Sequence, residues 1–381
     1  MSSVLEPATT ARDQVQVLVV DDQGDVRRAI QLLLKTHGYE AHAAGSPAAA
    51  LSAIARERYD LVIMDLNYTR DTTSGREGLD LVSLVRAADP SLPIVAMTAW
   101  STVPLAVAVL RGGADDFVEK PWDNSRLLQT VEAHVAAGRA RRLTRRLQDD
   151  ARDVQSRMLG PAVPSVAGYD LGVAWRFVEG LGGDAYEVVP LDGERLAVAV
   201  ADVCGKGLPA ALLMASLHAD LQAAAVELSP REACRRVAAQ MRVRLGPDRF
   251  VSLVYAILDR AAGTLVYVNA GHPAAVLMRP DGHAVRLTTG GPVIGLDRET
   301  DFEEAVVPIT AGARLALYTD GVTEAGGLVG EEFGERRLVD IVASGRSRPA
   351  AEAAARLIEA AAEFAGGMLR DDATALVVTV E

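Results

Sequence analysis

Two sets of acidic residues in this chain have the types and spacing to handle a phosphoryl group. In the first, Asp21 and Asp22 stand side by side after one apolar run, Asp65 follows another, and Thr98 and Lys120 follow two more. A carboxylate attacking phosphorus needs a cation to offset developing charge, so an acidic pair beside a third carboxylate suits the task. A lysine adds a point charge for phosphate. In the second set, Asp184 follows Gly182-Gly183, Asp202 ends the apolar run 196–201, Asp320 ends 315–319, and Asp371-Asp372 precede 373–380. Taken singly, an Asp beside a Gly is what any turn prefers. As a set they mean more. Two carboxylates about 4 Å apart repel by roughly 4 kcal/mol at an effective dielectric near 20. Four in one cleft would raise their pKa values or take up cations. All-oxygen ligands favour Mg2+ or Mn2+. A bound cation of that kind can activate a water, with no cysteine or serine nucleophile required.

The first set lies in a β/α alternation. Apolar runs at 17–20, 61–64, 94–97 and 117–118 alternate with helical periodicity around 26–34, 48–55, 79–85 and 105–110. Continuous apolar strands between helices predict a doubly wound parallel sheet covered on both faces, with working groups at the carboxyl ends of the strands. Asp21, Asp22, Asp65, Thr98 and Lys120 all fall at that edge. The stretch 123–160 differs: no proline lies between Trp122 and Gly160, and it is rich in Arg, Gln, Ala and Leu. It predicts one long helix. Leu143, Leu147, Ala151, Val154 and Met158 form an apolar seam, which must pair with a second copy or fold back onto a domain. We expect a coiled coil and hence a homodimer. Arg139, Arg141, Arg142, Arg145 and Arg146 read as a solvated basic face.

The second set lies in a strand-rich region beginning at Tyr169. Runs at 196–201, 251–258, 265–269, 275–278 and 315–318 are separated by turn signals at Asp192-Gly193, Asp281-Gly282 and Gly290-Gly291. Helical stretches at 209–228, 230–245 and 350–364 interrupt them. This predicts an α+β layered domain. The organisation is then 14–122, a helical linker 123–160, and 161–381.

A formal net charge of -12 opposes direct contact with nucleic acid or anionic membranes. No apolar run approaches the roughly 20 residues that span a bilayer, and residues 1–13 lack a secretory pattern. Two cysteines, Cys204 and Cys234, are too few for a disulfide framework or zinc site. The expectation is a soluble cytoplasmic protein. No helix-turn-helix segment follows the first domain, which argues against a DNA-binding regulator.

Asp21-Asp22, Asp65, Thr98 and Lys120-Pro121, with Phe117 three before the lysine, resemble the signature of two-component receiver domains over about 16–138. The resemblance implies a flavodoxin-like fold in which Asp65 accepts a phosphoryl group from a sensor histidine kinase. Asp22 and Asp65 would hold Mg2+ with the Asn67 carbonyl, and Asp21 would assist through water. Thr98 and Lys120 would bind the phosphoryl oxygens, and Phe117 would take the aromatic switch position. The stretch 66–74 departs from the short loop usual after the phosphoacceptor.

Gly-Gly-Asp at 182–184, Asp-Val-Cys-Gly-Lys-Gly at 202–207, Asn-Ala-Gly-His-Pro at 269–273, Thr-Asp-Gly-Val-Thr-Glu at 319–324 and Asp-Asp-Ala-Thr at 371–374 occur in one order. That series is similar to the PPM-type serine/threonine protein phosphatases, in the SpoIIE/RsbU-like branch. It implies an αββα sandwich with two Mg2+ or Mn2+ ions between the sheets. Asp202 would bridge them, with the Val203 carbonyl and Asp184 on one ion and Asp320 and Asp371 on the other; Asp371 matches the family position better than Asp372. His272 either donates a proton to the leaving alkoxide or serves as a packed, hydrogen-bonded turn residue. Cys204 reads as a small packing residue. Glu187 stands where this branch often has Asp.

The resemblances together imply a response regulator whose phosphorylation at Asp65 controls hydrolysis of phosphoserine or phosphothreonine on a protein, an anti-sigma-factor antagonist in such pathways. The helix at 209–228 would couple the switch to the ligands. The rival reading is a phosphatase fold without catalysis, an adaptor that binds a partner when the receiver is phosphorylated. It predicts missing acidic positions, and all are filled.

Overall fold

The computed structural model describes residues 14–68, 76–99, 103–160, 163–178, 180–191, 194–225, 229–296, 301–327, 330–345 and 348–381. The chain divides into two compact units, Met1–Leu147 and Gln148–Glu381.

The first unit runs β1 (Gln16–Val20), α1 (Gly24–Thr36), β2 (Glu40–Ala44), α2 (Pro47–Arg56), β3 (Leu61–Asp65), α3 (Arg76–Ala88), β4 (Ile94–Thr98), α4 (Val103–Arg111), β5 (Asp116–Glu119) and α5 (Asn124–Met158). The strands form one sheet in the order β2-β1-β3-β4-β5, with every pairing parallel. Alternate residues feed two cores, as a period-two backbone requires: Leu18, Val20, Val62 and Met64 on one face, Val17, Val19, Leu61 and Ile63 on the other. Strands buried on both sides explain the continuous apolar runs. α2 is capped by Ser46, whose hydroxyl accepts from Ala49 N–H, with Pro47 in the first turn.

α5 is the long helix expected over 123–160. Its basic residues are not simply solvated, however. Arg139 donates to both carboxylate oxygens of Asp60, Arg141 bonds Asp115, and Arg142 bonds the Tyr59 carbonyl, Asp60 and Asp89. Guanidinium forks match carboxylates well, so this stretch is fastened to the receiver. Leu143, Leu147 and Val154 of the predicted seam are exposed.

The second unit adds β6 (Tyr169–Arg176), β7 (Ala185–Pro190), β8 (Arg195–Val203), α6 (Gly207–Ala225), α7 (Pro230–Arg244), β9 (Val251–Asp259), β10 (Thr264–Ala270), β11 (Ala275–Met278), β12 (Ala284–Leu287), β13 (Gly290–Gly291), β14 (Ala305–Pro308), β15 (Arg314–Tyr318), α8 (Asp320–Thr323), α9 (Gly334–Ser344), α10 (Ala350–Phe364) and β16 (Ala373–Val380). One sheet is ordered β13-β10-β9-β8-β7, with β14 also on β10; the other is β12-β11-β15-β16-β6. Leu315, Leu317, Leu376 and Val378 point inward and share one core with Val198 and Val254 of the facing sheet, a core that continues through that sheet to α6 and α7 on its far side. Their neighbours Ala316, Tyr318, Ala375 and Val377 face outward against α9 and α10. The result is a four-layer αββα sandwich. Gly290-Gly291 is not the turn its composition suggests. It pairs in parallel with Asn269-Ala270, where a Cβ on Gly290 would lie 1.8 Å from the Asn269 carbonyl oxygen. Only glycine permits that approach.

Candidate functional site

In the receiver, Asp21 follows β1, Asp65 closes β3, Thr98 closes β4 and Lys120 follows β5, so the sheet brings them to one edge. Asp21, Asp65 and Thr98 are buried. Asp21, Asp22 and Asp65 each offer a carboxylate oxygen within 4.8 Å of the others. The Lys120 ammonium donates to Asp21 Oδ2 at 2.7 Å and to Asp65 Oδ2 at 2.8 Å. Burial pushes the Asp65 carboxyl up, Lys120 pulls against it, and Asp21 adds to the rise. Burial presses the Lys120 ammonium down, but its two carboxylates outweigh this and its pKa is raised. Asn67 places its backbone beside the site, donating N–H to Asp65 Oδ1 at 3.3 Å. Phe117 is half-buried on β5 opposite Ala96. Three carboxylates against one ammonium leave room for a hard divalent cation. Residues 69–74 of the atypical loop fall outside the described residues. Tyr68, just before them, was not singled out by sequence reasoning. It is buried, its hydroxyl lacks a hydrogen-bond partner, and burial followed by Asp65, Asp21 and Asp22 raises its pKa.

In the second unit, Asp184 precedes β7 and Asp202 lies near the end of β8 in one sheet, while Asp320 follows β15 and Asp371-Asp372 precede β16 in the other. The four stretches meet where the two sheets end. Asp202 is pushed up to about 7, first by burial and then by Asp320, Asp371 and Asp372. Asp184 is fully buried and raised well above the usual carboxylate range by burial and by Asp202. Burial and Asp371 raise Asp320. A cation between the strands would relieve all three effects. The set is looser than the receiver triad: among the described residues, only Asp21, Asp22 and Asp65 bring three ligand atoms within 4.8 Å of one another.

The neighbours fix orientation. Thr319 and Thr374 hydroxyls both donate to Asp184 Oδ2 at 2.8 Å. Neither threonine was singled out from the sequence, although each stands inside a quoted motif. Asp372 accepts Val178 N–H at 2.9 Å and Gly183 N–H at 3.1 Å, so both its oxygens serve the backbone. Asp371 is half-exposed and meets Lys206 Nζ at 3.2 Å. Gly321 lets the 320–321 turn lie against the 371–372 backbone; a Cβ there would stand 2.0 Å from the Asp372 carbonyl oxygen. The Val203 N–H bonds the Gly183 carbonyl, which ties two of the candidate ligand stretches together.

His272 is buried with both ring nitrogens engaged. Nε2 bonds the Tyr318 carbonyl at 3.0 Å and therefore carries the proton, while Nδ1 takes the Ser252 hydroxyl at 2.7 Å. Burial lowers its pKa to about 4. Asn269 brackets it, accepting His272 N–H and donating to the His272 carbonyl. This is the geometry of the turn-residue alternative. Glu187 is buried against His218 of α6; burial raises its carboxyl and His218 opposes the rise. Cys204 is half-buried, and its N–H bonds the Phe250 carbonyl.

Comparison with known proteins agrees with this division. The family model for the response regulator receiver domain matches residues 17–132, and that for stage II sporulation protein E matches 192–381. The chain is 39% identical over 120 residues to the response regulator protein FleR of Pseudomonas aeruginosa, covering 32% of this chain and 24% of the relative. It is 28% identical over 176 residues to the phosphoserine phosphatase RsbU of Bacillus subtilis, covering 46% of this chain and 52% of the relative. The match thus spans about half or less of either relative's length. The SiaA-PP2C domain of Pseudomonas aeruginosa shares the fold, with TM-score 0.55 at 24% identity, over 64% of this chain and 99% of that one. Fold and site together define a receiver joined to a PP2C-type phosphatase domain. Residues 17–132 belong to the response regulator receiver family and residues 192–381 to the SpoIIE family.

Proposed function

We propose that this chain is a metal-dependent protein phosphatase acting on phosphoserine or phosphothreonine, with its activity set by phosphorylation at Asp65. The observation that carries this reading is the convergence of four acidic stretches, which drives Asp202 to about 7. The oxygen-only donor set fits Mg2+ or Mn2+. Asp202, the Val203 carbonyl, Asp184, Asp320 and Asp371 would hold two such ions. When bound, they supply activation of a water and neutralisation of phosphoryl charge. The protein's own groups do the rest. Thr319 and Thr374 hold Asp184 as an oriented carboxylate. Lys206, on the rim beside Asp371, offers a positive charge to an incoming phosphate. His272, with both nitrogens committed, keeps the strand leading to Asp320 in place and has no free proton donor for a leaving group.

Upstream, a sensor histidine kinase would supply the phosphoryl group to Asp65 with a Mg2+ held by Asp22, Asp65 and the Asn67 carbonyl. Downstream, the substrate is a phosphorylated protein of the anti-sigma-factor antagonist kind; RsbU, a relative, is named a phosphoserine phosphatase. The exposed Leu143, Leu147 and Val154 support a homodimer through α5 as a coiled-coil linker over 123–160. No helix among the described residues is long and apolar enough to cross a membrane.

The test is phosphate release from a phosphoseryl protein by the full chain with Mn2+, with and without acetyl phosphate. We expect Mn2+-dependent release that acetyl phosphate changes in the wild type and leaves unchanged in Asp65→Asn. Absence of release with any divalent metal would favour the adaptor.

A further inference from the structure

The arginines of α5 do more than fasten a helix. Away from the phosphorylation edge, at the amino ends of β1 and β3, a pocket of about 540 Å3 opens within the first unit, lined by Arg58, Arg139, Arg142 and Arg146 together with Tyr59 and Gln16. Asp60 is the one acid in its wall. That carboxylate is already saturated, accepting Gln16 N–H at 3.1 Å and guanidinium donors from both Arg139 and Arg142. Arg142 also reaches Asp89 outside the pocket. Arg58 and Arg146 are exposed and make no ion pair among the described residues. A protein of net charge -12 therefore concentrates four cations around one shared anion.

Nothing in folding requires this. Like charges gathered in a concavity repel, and an isolated helix anchor would need only Arg139 and Arg142. A second observation adds a different requirement: the Gln16 side-chain oxygen is buried and has no hydrogen-bond partner, an acceptor that a hydroxyl or amino group of a nucleoside, rather than a phosphate oxygen, would satisfy. A group with both donors and negative charge would satisfy the amide and the free guanidiniums together.

We infer that this pocket is a binding site for a small anion carrying two or more phosphates, of the nucleoside diphosphate or triphosphate class. Planar guanidinium forks hold phosphate oxygens bidentately, and four of them suit a polyphosphate better than a single carboxylate. The volume falls in the range of small-molecule sites and exceeds what one orthophosphate would fill. The site is independent of the phosphatase reading, since none of its residues belongs to either acidic cluster.

Titration calorimetry of the full chain with ATP, GDP and pyrophosphate tests it. The titrations are done in EDTA so that neither carboxylate cluster recruits a nucleotide through a metal. Binding should weaken steeply with salt, and R58E/R146E should lower affinity by about tenfold or more. The milder R58Q/R146Q should weaken it less, and both variants should still accept phosphate from acetyl phosphate when Mg2+ is restored. Nucleotide binding well above that of pyrophosphate would add a base contact at Gln16 or Tyr59 to the site. The inference is overturned if none of the three ligands binds at millimolar concentration, or if R58E/R146E binds as the wild type does. It is likewise overturned if only a single-stranded oligonucleotide binds while the three small ligands do not.

Discussion

The two acidic clusters differ in how their charge is compensated. In the receiver, one buried ammonium bridges two of three carboxylates, so Asp21, Asp22 and Asp65 sit close together without further help. In the second unit, five aspartates face one lysine on the rim, and burial with mutual repulsion raises the carboxyls of Asp184, Asp320 and Asp372 and pushes Asp202 up to about 7. The lesson concerns demand for cations. On the proposed reading, the receiver would add one ion to a charge set already partly balanced, whereas the sandwich would leave its balance almost wholly to ions. Neutral hydroxyls from Thr319 and Thr374 orient Asp184 but cannot offset its charge.

That contrast can be broken at several points. The largest effect should come from Asp202→Asn, which removes the carboxylate proposed to bridge the two ions. Phosphatase turnover should fall about a thousandfold or more, the scale of several kcal/mol of charge stabilisation, while labelling of Asp65 by acetyl phosphate stays intact. In the receiver, Lys120→Ala leaves two buried carboxylates uncompensated and should destabilise that domain by about 3 kcal/mol in urea unfolding. Mn2+ at a hundredfold excess over its dissociation constant should stabilise the sandwich by about 2.7 kcal/mol, a gain that Asp202→Asn forfeits. Thr374→Val should cost about 1–2 kcal/mol by leaving Asp184 short of a donor.

A smaller effect separates His272 from the acids. Its folded pKa, about 4, lies below its unfolded value near 6.5, so the unfolded chain binds the proton first. Stability is then lost as pH falls from about 6.5 towards 4. Thermal midpoints of wild type and His272→Gln should converge over that window. Parallel slopes would give His272 a proton in the folded state and reopen a role in proton transfer.

Much of the fold was legible because its central strands are apolar throughout. The runs at 17–20, 61–64 and 94–97 are buried on both faces, and each lies within a strand found. β2, Glu-Ala-His-Ala-Ala at an edge, mixes buried, half-buried and exposed positions and carries no such run. β6 and β7 escaped for the same reason, with exposed or half-buried residues among their members. α9 begins at a glycine without a side-chain cap and gave no start signal. Of the candidate site, the acids were visible because strand ends gather chemistry. Thr319 and Thr374 were not, since a hydroxyl's partner depends on which strands become neighbours. The arginines of α5 carried a misleading message: helical spacing gave them a common face, but only the tertiary fold shows Asp60, Asp89 and Asp115 waiting opposite.

A count of bound ions tests the metal centre most directly. Titrating Mn2+ into the full chain with detection by electron paramagnetic resonance should find the wild type binding two more ions than Asp202→Asn, as a two-metal site requires. The ion held by the receiver should survive in that variant and disappear in Asp22→Asn. Equal Mn2+ stoichiometry in the wild type and Asp202→Asn would contradict the proposal that these distant carboxylates form a metal centre.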